Sequence, residues 1–222
     1  MPQKVRFVLL MLTAVAAGCF GFRRTPPGFP PTDPAVAPGS FDVELVTTKG
    51  PILVRVHRVW SPNGVDRFYN LVRARFFEDV AFHRTIRNFV AQFGISGDTA
   101  ITKAWEGRGI PDDTVRARNE RGTLAFARGG PNTRSTQLFF NLVSNSPRLD
   151  TLNGFGFPPI GVIVYGLAVL DSLTWEYSGT RGGQTFPGPS QDSIRRQGND
   201  YLRRNFPRLD YIVSARVGRS WD

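Results

Sequence analysis

The chain of 222 residues can bury one full core with some length left over at its ends. An apolar fraction of 41% with 12% aromatics excludes a wholly disordered chain, and 23 Gly and 17 Pro argue against a helical bundle and for a turn-rich, all-β architecture. A formal charge of +10 raises polyanion binding, but the basic residues are almost all arginines scattered among 18 acids; a solvated, partly ion-paired surface is expected and no specific nucleic-acid partner.

The N-terminus carries Lys4 and Arg6, then an apolar run over residues 7–15, then Ala16-Ala17-Gly18-Cys19. The run is shorter than the roughly 20 residues a membrane span needs, so it reads as an export signal with a small-residue cleavage site. Val15-Ala16-Ala17-Gly18-Cys19 resembles a bacterial lipobox, with Ala16 where leucine is preferred. The resemblance implies loss of residues 1–18, acylation of Cys19 and anchoring in the cell envelope, on the periplasmic side or in the outer membrane. Ordinary signal-peptidase cleavage after export across the inner membrane is the alternative. Cys19 is the only cysteine, so no intramolecular disulfide can form. Residues 20–40 hold Pro26, Pro27, Pro30, Pro31, Pro34 and Pro38 and read as an extended, polyproline-like tether.

From residue 41 the pattern changes. Residues 41–47 and 52–57 alternate apolar and polar around a Lys49-Gly50-Pro51 turn, which predicts a hairpin. Ser61 offers an N-cap and Pro62 a first helical residue; Val65, Phe68, Leu71 and Val72 then share one helical face to about Arg75. Further strands are expected over residues 81–86, 89–93, 123–127, 137–141, 162–165 and 211–217, with a second helix over 167–175. Long loops fill 94–122 and 144–161, where Gly, Pro, Asn and Asp concentrate. The expected fold is all-β: a closed eight-stranded antiparallel β-barrel capped by two α-helices. The domain spans 41–217, with a C-terminal extension over 178–210 and a tail over 218–222. The extension's Ile194, Tyr201, Leu202 and Phe206 are expected to pack on the barrel.

Two segments carry chemistry. Phe82-His83-Arg84 is followed by Phe89, Val90 and Gln92; Gly130-Pro131-Asn132-Thr133 is followed by Gln137 and Phe139. Rotation about an X-Pro bond faces a barrier of about 18–20 kcal/mol because of amide resonance. A catalyst lowers it by favouring the twisted state, in which the prolyl nitrogen regains a lone pair. A fixed guanidinium near that nitrogen, an apolar box for the ring and donors on the flanking carbonyls suffice. His83 precedes Arg84 on a strand and points to the opposite face, as a hydrogen-bonded histidine of the barrel interior. With two histidines and one cysteine, neither a zinc site nor a Cys-His nucleophile can be assembled; no metal and no cofactor are expected.

These two segments resemble the cyclophilin family of peptidyl-prolyl cis-trans isomerases, over nearly the whole of the 41–217 domain. A monomer is expected; the resemblance implies the eight-stranded barrel, a proline-containing polypeptide as partner and no cofactor. It matches Arg84 to the catalytic arginine addressing the prolyl nitrogen and Gln92 to the glutamine that orients it. Phe89, Phe139 and Leu149 match walls of the proline pocket, with Val90 in place of the more usual methionine. Ala127 and Gln137 match residues beside the flanking substrate positions. Arg128 stands where the family commonly has an asparagine whose backbone binds substrate; that backbone contact can survive the change, and the rim becomes more basic. Arg148 takes the place of a tryptophan used to hold cyclosporin, residues 153–161 are inserted or rearranged, and the pocket-edge histidine has no counterpart. Location and chemistry together suggest folding assistance to exported proteins. The alternative is a weakly catalytic proline-peptide-binding chaperone or scaffold of the cell envelope, favoured by the altered rim.

Overall fold

The computed structural model describes residues 25–181 and 183–222. The expected signal, its lipobox, Cys19 and the first residues of the expected tether lie outside the described residues. Strands β1 (Ser40–Thr47) and β2 (Gly50–His57) form the expected hairpin, in register from Ser40 opposite His57 to Thr47 opposite Gly50. Their period of two puts Phe41, Val43, Leu45, Ile52, Val54 and Val56 into the core.

Helix α1 (Pro62–Arg73) buries Val65, Phe68, Leu71 and Val72 on that core, as expected. Its start differs from the expectation. Ser61 does not cap the helix; its hydroxyl donates to Asp113 Oδ2 at 2.6 Å, and the same carboxylate accepts from the Asn63 and Gly64 amides. A helix N-terminus presents free N–H groups and a partial positive charge, which a carboxylate satisfies better than a hydroxyl. Arg134, fully buried, holds that carboxylate in place at 3.0 Å and reaches the Ser61 hydroxyl, the Pro111 carbonyl and, as an ion pair, Asp112. Removing one member of such a buried set typically costs about 3–5 kcal/mol.

Further along come β3 (Val80–Ala81), β4 (Arg84–Ile86), β5 (Val90–Phe93), α2 (Thr99–Trp105), β6 (Thr123–Phe126), β7 (Leu138–Asn141), α3 (Arg148–Thr151) and β8 (Pro159–Tyr165). A two-stranded ribbon, β9 (Ser178–Arg181) and β10 (Gln184–Pro187), precedes α4 (Gln191–Asn205) and the closing strand β11 (Tyr211–Trp221). The main sheet is antiparallel with nine strands in the order β3-β11-β1-β2-β8-β6-β7-β5-β4.

The expected closed, eight-stranded barrel is thus an open, curled sheet of nine strands. The expected strand over 81–86 is broken: Val80–Ala81 pairs with β11, Arg84–Ile86 pairs with β5, and between them the Phe82 amide donates to the Asp210 carbonyl. The sheet curls until its two edges are consecutive pieces of chain, with no ladder joining them. The extension lies over this seam. Strand β9 packs beside β4, and Ile194 and Leu202 of α4 join Leu209, Ala81 and Ile95 in a second apolar cluster, with Tyr201 and Phe206 against it. The extension's apolar residues are therefore packing, as expected.

The helix content also differs from two capping helices. Residues 167–175 form only a 3-10 turn (Leu167–Ser172), because the Thr174 amide is drawn off to Asp210 Oδ2 at 2.7 Å. Helix α2 arises inside an expected loop, where Asp98 accepts from the Ala100 and Ile101 amides and starts it. Helix α4 bends at Gly198, with φ 60°, so that the Asn199 amide can reach the Gly97 carbonyl at 3.0 Å; a β-carbon at Gly198 would stand 2.1 Å from that oxygen.

Part of the expected tether is docked. Trp105 Nε1 donates to the Gly28 carbonyl at 2.8 Å, Asn70 exchanges two hydrogen bonds with the Ala35 backbone, and Asp66 accepts from the Ala37 amide. The prolines lack amides of their own, but Asn70 and Asp66 take hold of the alanines between them, so residues 28–37 strap α1 and α2.

Candidate active site

The β4–β5 hairpin places Arg84 opposite Gln92, and the β5–β7 ladder places Gln92 opposite Phe139, so the three side chains emerge as cross-strand neighbours. The hairpin turns through Asn88 at φ 60°, a conformation that asparagine tolerates, and this sets Phe89 beside the strand end.

Arg84 is half-buried and Nη1 donates to Gln92 Oε1 at 3.2 Å. Gln92 in turn donates through Nε2 to Gln137 Oε1 at 2.8 Å. Burial lowers the Arg84 pKa from the usual arginine value. The guanidinium has the most N–H donors to offer, since it has five and the relay takes one.

The expected apolar residues converge. Val90, Phe139 and Leu149 are buried together with Ala125, and Phe89, Ala127, Leu152 and Phe157 pack against them, in a cluster separate from the main core. Phe157 meets Phe139 edge-on, ring centroids 5.7 Å apart. Leu152 and Phe157 were missed in the sequence; their only signal is that they are apolar residues inside a Gly- and Asn-rich loop.

Amide networks hold these walls. Asn145 Nδ2 donates to the Phe89 carbonyl at 3.0 Å and to Asn141 Oδ1, while Asn119 bridges the Asp150 carboxylate to the Phe157 carbonyl at 2.9 Å. Burial pushes the Asp150 carboxyl up, but hydrogen bonds from Ser146 and Asn119 outweigh it and hold it below its ordinary value.

Two rim arginines behave differently from each other. Arg128, with its side chain 3% exposed, does not make the rim more basic. It pairs with Asp112 at 2.8 Å, donates to the Gly156 carbonyl and lies over Phe155 and Phe157, so its charge is spent on pinning the 153–161 segment. Arg148 is exposed and lies over the Phe89 ring, 5.6 Å from its centroid. Cys19 lies outside the described residues.

His83 is buried, 2% exposed, at the break between β3 and β4. Contrary to the hydrogen-bonded histidine expected, neither ring nitrogen has a hydrogen-bond partner among the described residues. Burial, then the charges of Arg84 and Arg195, pull its pKa down to about 3, with only the Ala81 backbone favouring the charged form.

The curled antiparallel sheet with its few helices is a cyclophilin-like fold. A cyclophilin type peptidyl-prolyl cis-trans isomerase of Cryptosporidium parvum superposes with a TM-score of 0.57 at 18% identity, covering 82% of this chain and 99% of that one. Residues 42–193 match the family described as cyclophilin type peptidyl-prolyl cis-trans isomerase/CLD, and the chain belongs to that family. The peptidyl-prolyl cis-trans isomerase ppi1 of Schizosaccharomyces pombe is 33% identical over 138 residues, 58% of this chain and 81% of the relative. Peptidyl-prolyl cis-trans isomerase B of Escherichia coli is 29% identical over 156 residues, 68% of this chain and 94% of the relative. The chain is a cyclophilin-type isomerase of prolyl peptide bonds.

The His83 environment sets a pH dependence. The unfolded imidazole binds a proton near pH 6.5 and the folded one only near 3, so stability falls as pH drops below about 6.5. Urea unfolding at pH 5 should give a stability about 2 kcal/mol lower than at pH 7, and His83→Leu should remove most of that difference. An unchanged pH slope in the variant would contradict the assignment.

Proposed function

We propose that Arg84 is the catalytic group and that Gln92, fixed by Gln137, aims it. In this reading the substrate proline rests against Phe89, Val90, Phe139 and Leu149, with Ala127 and Gln137 beside the flanking residues. Twisting the X-Pro amide localises a lone pair on the prolyl nitrogen, and a guanidinium N–H donates to it. That interaction exists in the twisted state and not in the planar one, so it lowers the barrier instead of merely tightening binding. No covalent intermediate forms and no proton is consumed.

The observation that carries this reading is the relay from Gln137 through Gln92 to Arg84, one strand away from the aromatic patch. A prolyl-peptide substrate is supported by a solved cyclophilin of Cryptosporidium parvum studied in the presence of the dipeptide Ala-Pro, with a TM-score of 0.56 at 18% identity, covering 81% of this chain and 99% of that one. Replacing Arg84 by Ala should lower kcat/KM on an Ala-Pro peptide about 100-fold with the unfolding midpoint little changed, because the side chain is half-exposed and bears no core load. Wild-type turnover by that variant would remove Arg84 from the mechanism.

The clients we propose are exported polypeptides, whose slow prolyl steps limit folding. The support is the N-terminal pattern: a basic start, a short apolar run and Cys19 after Ala-Ala-Gly. Acyl chains on Cys19 would hold the domain at a membrane surface, with the docked residues 28–37 leaving only a short linker. Expression of the full chain in a bacterial host should yield a mature N-terminus at Cys19 carrying lipid by mass spectrometry, and Cys19→Ala should abolish the lipid mass. A mature protein that begins after Cys19 would rule out the anchor.

A further inference from the structure

Beside the proline patch, between α2 and the start of α4, lies a cavity of about 480 Å³ that shares Gln92, Ala127 and Gln137 with the site. Its outer wall comes from the extension: Gln191 and Arg195 of α4. These two residues continue the relay, since Gln137 Nε2 donates to Gln191 Oε1 at 3.1 Å and Arg195 Nη2 donates to the same oxygen at 3.3 Å. Arginine has no acceptor. Arg84 at one end demands an oxygen from Gln92, Arg195 at the other demands one from Gln191, and all three amide orientations follow with no donor facing a donor. Arg195 is thereby held at the wall of the cavity.

The charges at the cavity are unequal in availability. Arg128 is committed to Asp112 and the Gly156 carbonyl. Glu106 is exposed at the rim. Among the described residues Arg195 is tied otherwise only to Asp192, whose side chain is 73% exposed, and so exposed an ion pair is weak enough to be exchanged. A carboxylate arriving from inside a half-enclosed cavity meets the guanidinium away from bulk water and keeps more of the attraction.

We infer that Arg195 is a specificity-determining residue: the cavity takes the side chain of a residue flanking the substrate proline, and the Arg195 guanidinium selects an acidic one. The inference rests on the reading of Arg84 and its relay as the isomerase site. It also gives the extension a part in recognition beyond covering the seam.

The test is kcat/KM of the full domain on Ala-Pro peptides in which each of the residues flanking the dipeptide is in turn Glu, Gln or Lys. At one flanking position the order should be Glu above Gln above Lys, with Glu over Lys by roughly five- to tenfold, the size expected of a half-exposed charge pair. Arg195→Gln should flatten that order, and Arg195→Glu should reverse it. Equal turnover of Glu and Lys peptides by the wild type at every position, or a preference that survives in Arg195→Glu, would overturn the inference. The Arg84→Ala variant in the same assay separates the two claims: its retained activity would count against the reading of Arg84 as the catalytic group, whereas loss of activity there with no Glu preference in the wild type would count against Arg195 alone.

Discussion

An arginine side chain can only donate hydrogen bonds, and two of them bracket the line of glutamines that runs from Arg84 through Gln92, Gln137 and Gln191 to Arg195. Each amide has a carbonyl end and an amino end, so fixing one fixes the next. A line begun at Arg84 and a line begun at Arg195 arrive at the same set of orientations. This agreement is what makes the relay a positioning device: rotating any one amide would set nitrogen against nitrogen, with the loss of two hydrogen bonds in a half-buried place. The guanidinium proposed as the catalytic group is therefore aimed by neutral groups. A carboxylate partner would hold it as firmly but would draw its field away from the prolyl nitrogen.

The break in the sheet explains where this line sits. Because the strand over 80–86 is split, Arg84 lies on an edge strand, and its half-buried side chain meets Gln92 on the one strand beside it. An edge is also a liability, since unpaired backbone groups invite unwanted pairing. The extension answers both conditions. Its ribbon and α4 cover the seam through Ile194 and Leu202, and the same helix brings Gln191 and Arg195 to the far end of the relay. Burying His83 beneath this cover without a hydrogen-bond partner among the described residues is a cost that the neutral imidazole keeps tolerable at neutral pH.

Much of this was legible in the residues, and what escaped has physical reasons. The hairpin of β1 and β2 and the helix α1 are written in period two and period 3.6, and both formed with nearly the expected bounds. Phe89, Val90, Phe139 and Leu149 did come together: ladder register carries Val90 and Phe139 to a common face, while the turn before β5 and helix α3 bring Phe89 and Leu149 to it. The split at Phe82 and His83 was hidden, since local alternation cannot reveal that one end of a strand pairs with β11 and the other with β5. Arg128 was misjudged as a rim charge because its partner, Asp112, lies in a different loop and only the folded chain brings them together. The capping of α1 by Asp113 was invisible for the same reason. Gln191 and Arg195 sit in a polar, Arg-rich helix whose pattern reads as surface; nothing in its spacing points toward Gln137.

The central claim concerns direction and not charge alone: a planar guanidinium, held by an amide, reaches the prolyl nitrogen in the twisted state. Arg84→Lys keeps the positive charge and a long apolar stem but offers a compact ammonium with no fork for Gln92 to fix. NMR exchange measurement of cis-trans interconversion in an Ala-Pro peptide, with this variant folded and binding the peptide, is the most direct test. The account predicts a rate constant at least about tenfold below wild type with little change in peptide affinity. Interconversion at the wild-type rate would contradict it, and would mean that any nearby cation serves.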